Sequence, residues 1–588
     1  MRANSPGVRP AAEDMAILYS GREIGAIPGD TVASALVAAR ERICRQTDAG
    51  DGRGLFCGMG LCSECSVVVD GTPSRLACMT PVHDGMTIDV QPPRPVLAAW
   101  AGAAKMDETE LTPDVLVVGG GPAGLVAAAI AAEAGLDVVL IDERLKLGGQ
   151  YYKQPGAGFT IDSDHLDMQY RDGRALIERF RNSGAMLLAG VRVWGAFARD
   201  HLVAAGPDSR WLLRPRQLVL ATGAYERGVP FPGWTLPGVM TTGAAQTLLR
   251  SHQVSPGDRV VVSGNGPLNL QVAAELSRAG VTVVTVAELG RPFHLTHARA
   301  AVRMGLAAPR LIRDGLTYLR ILSRHRVPLF SSTAVIRCDG EAVVRTATLA
   351  RIDRCGKPVA GTERIVEVDA VCLGYGFLPS NELARSVGCA HRVDPLSDAL
   401  EVVRDAAGRT SIPGVWVIGD GGAPLGAKVA LAAGALCGAA LVRELGGEVG
   451  DAVKAEARRA TRRHARQLRF QRALADAYEA PLLGHRLADP ETVVCRCENV
   501  TLGDLHGELA DGVGAAGSLK RVTRAGMGKC QGRYCGPVLT RLASEATGDA
   551  VDAFSGFLSQ APITPTPVGA IAAPDRTSPG RPVEERFA

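Results

Sequence analysis

At 588 residues the chain has room for about three to five domains of roughly 100–200 residues each, and for large buried cores. Lysine plus arginine (65) and aspartate plus glutamate (61) nearly balance at a net charge of +4, which argues against a dedicated nucleic-acid binder with its strongly basic domain. Sixty-nine glycines without a short repeat, beside only 4% aromatics, exclude collagen, coiled coil and wholesale disorder; they suit α/β folds with many tight turns and nucleotide loops.

In chain order, residues 15–19 (MAILY) and 23–27 (EIGAI) alternate about Gly21–Arg22 and predict a hairpin. Asp30 and Thr31 open a helical stretch, and 67–71 with 73–79 predict a second hairpin around a first group of cysteines. These elements form an expected domain over 1–98. A Pro-rich, then polar and acidic, linker is expected over 99–113. Residues 114–257 then read strand, glycine loop, helix, strand. A second unit of the same kind covers 258–366, and 367–448 returns to the first with a third glycine-bearing segment. The 449–489 stretch is helical and basic, with a solvated face as its plain reading. A second cysteine group falls in 490–550, and 551–588 is a tail, Pro-rich from about 560.

The opening residues lack the apolar core of a signal peptide, and no run of about 18 apolar residues escapes glycine or charge. The expectation is a cytoplasmic chain that does not cross a membrane. Fourteen cysteines in that compartment argue against structural disulfides. Cys57-x4-Cys62-x2-Cys65 followed by Cys78 has the plant-type [2Fe–2S] spacing. A structural zinc site, the alternative, more often uses paired C-x2-C knuckles. Cys495-x-Cys497, then 32 residues, then Cys530-x4-Cys535 is also four thiolates, and this spacing alone leaves zinc and [2Fe–2S] both open.

Gly119-x-Gly121-x-x-Gly124, with Pro122 and Ala123 inside it, follows a strand and opens a helix, while Asp142 ends the next strand. That context is the full dinucleotide fingerprint: loop amides and the helix N-terminus face the pyrophosphate, and the acid accepts from ribose hydroxyls. With 220–226 (LATGAYE) and 417–424 (VIGDGGAP) downstream, the pattern is that of a two-dinucleotide-domain flavoprotein holding FAD. The expected FAD contacts are Gly119, Gly121, Pro122, Ala123, Gly124, Asp142, Glu143, Gly149, Gln150, Val193, Ala221, Thr222, Gly223, Gly419 and Asp420, with Lys428 as a further flavin neighbour. The second loop, Gly264-Asn265-Gly266-Pro267-Leu268-Asn269, lacks the third glycine. Ala287 falls at the ribose position and Glu288 one place late, so NAD(P) binding is not expected there.

RGLFCGMGLCSECSVVVDG, GGGPAGLVAAA, LATGAYERGVPFPGWTLPGVMTTGAAQ, VCRCENVT and TRAGMGKCQGRYC resemble the large subunit of hydrogen cyanide synthase and opine oxidase. They are similar as well to the α subunits of sarcosine oxidase and of dye-linked proline or hydroxyproline dehydrogenases. The resemblance spans nearly the whole chain. It implies a β-grasp [2Fe–2S] domain, an α/β flavoprotein core of two Rossmann-like domains, and a small helical C-terminal [2Fe–2S] domain of the bacterioferritin-associated-ferredoxin type. It also implies a separate flavin-dependent amine-oxidase-type subunit that oxidises the substrate.

Flavin accepts two electrons at once and a [2Fe–2S] cluster one, so a flavin flanked by two clusters would split a two-electron oxidation into single steps. The expected function is therefore the relay subunit of a heteromeric amine or amino-acid dehydrogenase. The alternatives are a self-contained NAD(P)H-dependent reductase and a non-enzymatic iron–sulfur redox sensor. No catalytic residue is assigned from the sequence. The 230–240 loop and the basic helix are candidate docking surfaces, against the plain readings of core loop and solvated helix.

Overall fold

The computed structural model describes residues 2, 3, 5–10, 15–95, 106–162 and 164–572. Residues 99–105 of the expected linker and 573–588 of the tail lie outside these. The N-terminal hairpin forms as β1 (Met15–Tyr19) and β2 (Arg22–Ala26), followed by α1 (Val32–Ala38). Thr31 and Ser34 cap that helix reciprocally, satisfying two otherwise orphaned amides. With β3 (Ser66–Val69), β4 (Thr72–Leu76) and β5 (Thr87–Val90) the sheet runs β2-β1-β5-β3-β4, with β1 and β5 parallel. The helix lays a buried Val32–Val37 face on the sheet beside Ile17, Val67 and Ile88.

The first nucleotide domain is a parallel sheet. Its core strands are β6 (Val115–Val118), β7 (Val138–Asp142), β8 (Met186–Ala189), β9 (Gln217–Leu220) and a late strand, Val415–Val417, in the order β8-β7-β6-β9-late strand. Strands buried on both faces read as continuous apolar runs, as VLVV and VVLID do. The helix α2 (Pro122–Glu133) is buried along most of its length, between the sheet and the helix Ala427–Glu444. In the second domain five parallel strands run Val239–Thr241, Ala370–Gly374, Arg259–Gly264, Thr282–Glu288 and Leu329–Ser331.

Two expectations change. The described part of the presumed linker is not irregular: Asp107–Leu111 is a strand pairing in parallel with Ser209–Leu213. Its alternating acids find partners there, Glu108 with Arg210 at 3.0 Å and Glu110 with Arg214 at 2.7 Å. A solvated edge strand with cross-strand ion pairs looks like a polar linker in sequence. The 230–240 loop, a docking candidate, is core: Phe231 and Trp234 are buried, and Trp234 Nε1 donates to Val493 O at 2.6 Å. What docks on it is this chain's own C-terminal module, the helices Leu502–Ala510, Ala516–Thr523 and Gly536–Thr547 around Leu505, Leu519 and Leu539.

The basic stretch is one helix, Asp451–Ala477. It buries Ala460, Phe470, Ala473 and Ala477 and leaves most of its arginines outward. No described helix is long and apolar enough to cross a membrane.

Candidate functional site

Three loops meet at the carboxyl ends of β6, β9 and the Val415–Val417 strand, the edge where doubly wound sheets bind ligands. Gly119 has φ +111, and a Cβ there would stand 2.3 Å from Ala221 O. A Cβ on Gly124 would stand 2.0 Å from Gly119 O, so helix and loop touch only because both are glycine. The helix begins at Pro122 after Gly121, with no side-chain cap and no acid in its first turn. Its free N–H groups therefore face the half-buried opening, a ready anion seat.

Asp142 closes one side. Its carboxylate accepts N–H from Gly120 at 2.7 Å and from Arg144 at 2.7 Å. Burial pushes the Asp142 carboxyl up to about 6 against those two bonds. Asp420 accepts from the amides of Leu425 (3.0 Å) and Gly426 (2.9 Å), and burial raises it too. Gly149 lies against Gly121, with Gln150 beside it half-buried. Thr222 Oγ1 donates to Ser380 O at 2.5 Å, and Gly421 comes close to Thr222 and Gly223. Ala123, Ala221 and Gly419 are buried in the same place, and Val193 packs behind with Val118 and Ile141.

Two residues of the expected set carry ion pairs within the chain. Glu143 is paired with Arg192 at 2.9 Å. Lys428, at the start of the Ala427–Glu444 helix, is partly exposed and meets Asp172 at 3.6 Å.

Three residues near these loops had escaped the sequence reading. Arg404 braces the third loop, donating to Val417 O (2.7 Å) and Gly419 O (2.9 Å). Both carboxylate oxygens of Glu226, the last residue of LATGAYE, accept from Gly243 N, at 2.9 and 3.0 Å, and the Thr241 side chain is bonded to it as well. Lys153, three residues past Gln150, donates to Gln246 at 2.9 Å. Burial pushes Glu226 up and Lys153 down, each partly offset by the other's charge. The signal for Glu226 was its place in the LATGAYE motif; nothing in the sequence pointed to Arg404 or Lys153.

The eight cysteines gather as two groups of free thiols, with all but Cys78 and Cys497 buried. In the first, Cys57 is within hydrogen-bonding reach of Cys62 and Cys78, and Cys65 of Cys78. The amide of Cys62 points at Cys57 Sγ, 3.4 Å away. In the second, Cys495 pairs with Cys535 and Cys497 with Cys530, and Gly526 N donates to Cys495 Sγ at 3.4 Å. The bond from Cys535, helped by the Gly526 amide and opposed by burial, brings the Cys495 thiol down to about 7. Among the described residues no three His, Cys, Asp or Glu side chains gather about one ion position. The first four thiols stand in a chain, Cys62–Cys57–Cys78–Cys65, and the second four as two pairs, each group with an amide aimed at a sulfur, a donor set that suits an iron–sulfur cluster. The two groups do not lie apart on either side of the nucleotide loops: Cys497 Sγ is 3.9 Å from Cys62 O.

The second glycine loop departs from its sequence reading. Gly264 pairs with Glu288, not Ala287, because Val284 is extruded as a bulge between the strands. Glu288 Oε2 accepts from Gly266 N at 3.2 Å and Oε1 from Gly290 N at 3.0 Å, while burial pushes it up to about 8. Asn269 replaces the third glycine with hydrogen bonds: it donates to Gly374 O at 2.9 Å and accepts from Thr242 at 3.0 Å. Asn265 donates to Tyr478 O at 3.0 Å, so the end of the long helix rests on this loop.

Residues 113–434 match the pyridine nucleotide-disulphide oxidoreductase family, 12–93 a 2Fe-2S iron-sulfur cluster binding domain, and 490–575 the sarcosine oxidase A3 domain. The chain is 33% identical to hydrogen cyanide synthase subunit HcnB of Pseudomonas protegens over 441 residues, 74% of this chain and 92% of that one. It is also 33% identical to an opine oxidase subunit from Agrobacterium tumefaciens over 443 residues, 73% of this chain and 85% of that one. In fold it is similar to L-proline dehydrogenase from P. horikoshii, at a TM-score of 0.68 and 22% identity over 95% of this chain and 97% of that one.

Proposed function

The chain belongs to the pyridine nucleotide-disulphide oxidoreductase family, among flavin and iron–sulfur amine oxidoreductases, and from that premise we propose that it is the electron-relay subunit of a heteromeric amine or amino-acid dehydrogenase. The observation that carries this is two largely buried groups of four cysteines built into the same chain as a dinucleotide cradle. A partner subunit of the flavin-dependent amine-oxidase type would oxidise a secondary amine or amino acid of the opine, proline, hydroxyproline, sarcosine or glycine class. The subunit names of the relatives support the existence of a partner subunit.

FAD supplies two-electron acceptance when bound, and each [2Fe–2S] cluster a one-electron step. The chain's own residues do the holding. The uncapped helix start at Gly121–Pro122 takes the pyrophosphate, and Asp142 the ribose. Asp420, anchored on the Leu425 and Gly426 amides and facing Arg404, holds the flavin side chain. The Ala427–Glu444 helix starts without a side-chain cap, so its N–H groups are free to favour negative charge on reduced flavin. Cys57, Cys62, Cys65 and Cys78 hold one cluster, and Cys495, Cys497, Cys530 and Cys535 the other.

Dye reduction with proline, sarcosine, glycine and opines, using the chain alone and co-expressed with its partner, tests this reading. Turnover only in the complex is expected; equal turnover by the isolated chain would refute it. A second reading, a self-contained NAD(P)H-dependent reductase, is favoured by one observation, the placement of Glu288 opposite Gly264. Anaerobic titration with NADH separates the two.

A further inference from the structure

Each cysteine motif carries a charged residue between its ligands. Glu64 lies between Cys62 and Cys65, and Arg496 between Cys495 and Cys497. These two residues meet: Arg496 Nε is 3.1 Å from Glu64 Oε2, with the side chains 4% and 1% exposed. Arg45 reaches the same carboxylate at 2.5 Å and the Arg496 carbonyl at 3.5 Å. Arg53 stands 3.8 Å from Glu64 and donates to Asn499 at 2.9 Å. The Arg496 guanidinium is further fixed over the rings of Phe56 (4.0 Å) and Trp234 (4.6 Å) and donates to Trp234 O at 2.7 Å.

One buried carboxylate facing three guanidiniums leaves positive charge in excess, which a protein interior tolerates only with a counter-charge. Asp51 stands 3.7 Å from Arg53 but its side chain is 55% exposed, so inside the buried cluster the counter-charge falls to the two cysteine loops, where Arg45 meets the Arg496 carbonyl at 3.5 Å and Cys497 Sγ lies 3.9 Å from Cys62 O. Two thiolate-held iron–sulfur centres are anionic, and in contact they would repel. The guanidiniums stand where that repulsion would be felt, and the Glu64–Arg496 pair ties the two ligand loops together directly.

Resting on the two-cluster reading above, we propose that Glu64 and Arg496 form a clasp that keeps the two cysteine centres in contact, so that electrons pass directly from one to the other. The step moves one electron: one centre is oxidised as the other is reduced, with no bond made or broken and no proton required. Glu64 and Arg496 are positioning residues, and Arg496 also sets the field at both centres.

The test uses the full chain, purified anaerobically and reduced with dithionite, and compares wild type with Arg496→Met, Arg496→Lys and Glu64→Gln by iron analysis, electron paramagnetic resonance and redox titration. Wild type with about four irons should show signals split or broadened by interaction between two spins. Arg496→Met should retain iron, lose the splitting and move both midpoints negative. Glu64→Gln should move them positive, and Arg496→Lys should restore the midpoints in part. Opposite shifts from the two partners are what a merely structural role would not give. Four irons in wild type with a spectrum that is the plain sum of two isolated spins would overturn the clasp alone, whatever the variants do. So would unchanged splitting and midpoints in Arg496→Met. Only two irons in wild type would overturn the two-cluster reading, and the clasp with it.

Discussion

Glu288 stands opposite Gly264 in the parallel register of the second nucleotide sheet, the place Asp142 holds beside Gly119 in the first. The two acids nevertheless do different things. Asp142 bonds Gly120 and Arg144, whereas Glu288 reaches one residue further, to Gly266, and forward to Gly290. A Cβ on Gly290 would stand 3.4 Å from the Tyr478 backbone, so this side of the loop is covered by the chain itself. Micromolar NADH or NADPH should therefore leave the flavin oxidised under anaerobic conditions. Rapid bleaching of the flavin absorbance would promote the reductase reading.

Restoring the missing glycine should harm the protein. Asn269 is 1% exposed and its amide ties the 267–278 helix to Gly374 O and Thr242. Asn269→Gly leaves the buried Thr242 hydroxyl without its partner, while Gly374 O keeps the Asn265 N–H at 2.8 Å, and a cost of about 1–3 kcal/mol is expected. Thermal unfolding should show a lower midpoint; an unchanged one would mean that water or a shifted side chain replaces the amide.

Asp142 gives a pH dependence. Its carboxyl is raised from 3.8 to about 6 in the fold, so the protonated form is favoured there. Its contribution to stability is complete below 3.8 and is lost as pH rises through 6. Ribose hydroxyls donate to the ionised form and reverse the preference. FAD uptake by the apoprotein should then release a proton, and binding should tighten between about pH 5 and 7. Asp142→Ala should lower flavin occupancy and flatten that profile without loss of iron, as followed by fluorescence quenching of added FAD. Full retention and an unchanged profile would remove Asp142 from the ribose site.

Metal content tests the cysteine groups separately. Iron and acid-labile sulfide should each approach about four per chain, and Cys530→Ser should lower both by about half while leaving the first group's spectrum in place. One zinc with only two irons in wild type would reassign a site, and the variant would show which.

Breaking the charge knot on the other side of the nucleotide core should be costly. Arg250 is 3% exposed, is paired with Asp167 (2.8 Å) and Glu275 (3.0 Å), and lies 4.0 Å over the Tyr170 ring. Arg250→Ala removes the charge partner of both acids, leaving Glu275 with Gln246 and Gln271 and Asp167 with the Tyr170 amide, and about 1.5–3 kcal/mol of destabilisation is expected. Denaturant unfolding reads it directly, and a loss below 1 kcal/mol, on the order of an exposed pair, would show that solvent already screens the cluster.

The amino-acid sequence by itself determined the parts whose signal is local. Cys57, Cys62 and Cys65 lie within nine residues, and the Gly119–Gly124 loop with Asp142 spans one strand–helix–strand unit, so their spacing can be read without knowing the rest of the fold. The hairpin about Gly21 and the buried parallel strands followed from periodicity for the same reason. Tertiary structure decided whatever depends on segments distant in the chain. A single extruded residue, Val284, shifted Glu288 into register, and a bulge leaves no mark in a run of valines. The acidic stretch at 107–111 pairs as a strand against 209–213, where Arg210 and the following Arg214 take up two of its acids. The contact of Cys497 with Cys62 and of Arg496 with Glu64 joins motifs more than four hundred residues apart. Such closeness is set by how three modules pack on one another, through Trp234 and the charges around Glu64, and no local spacing encodes it.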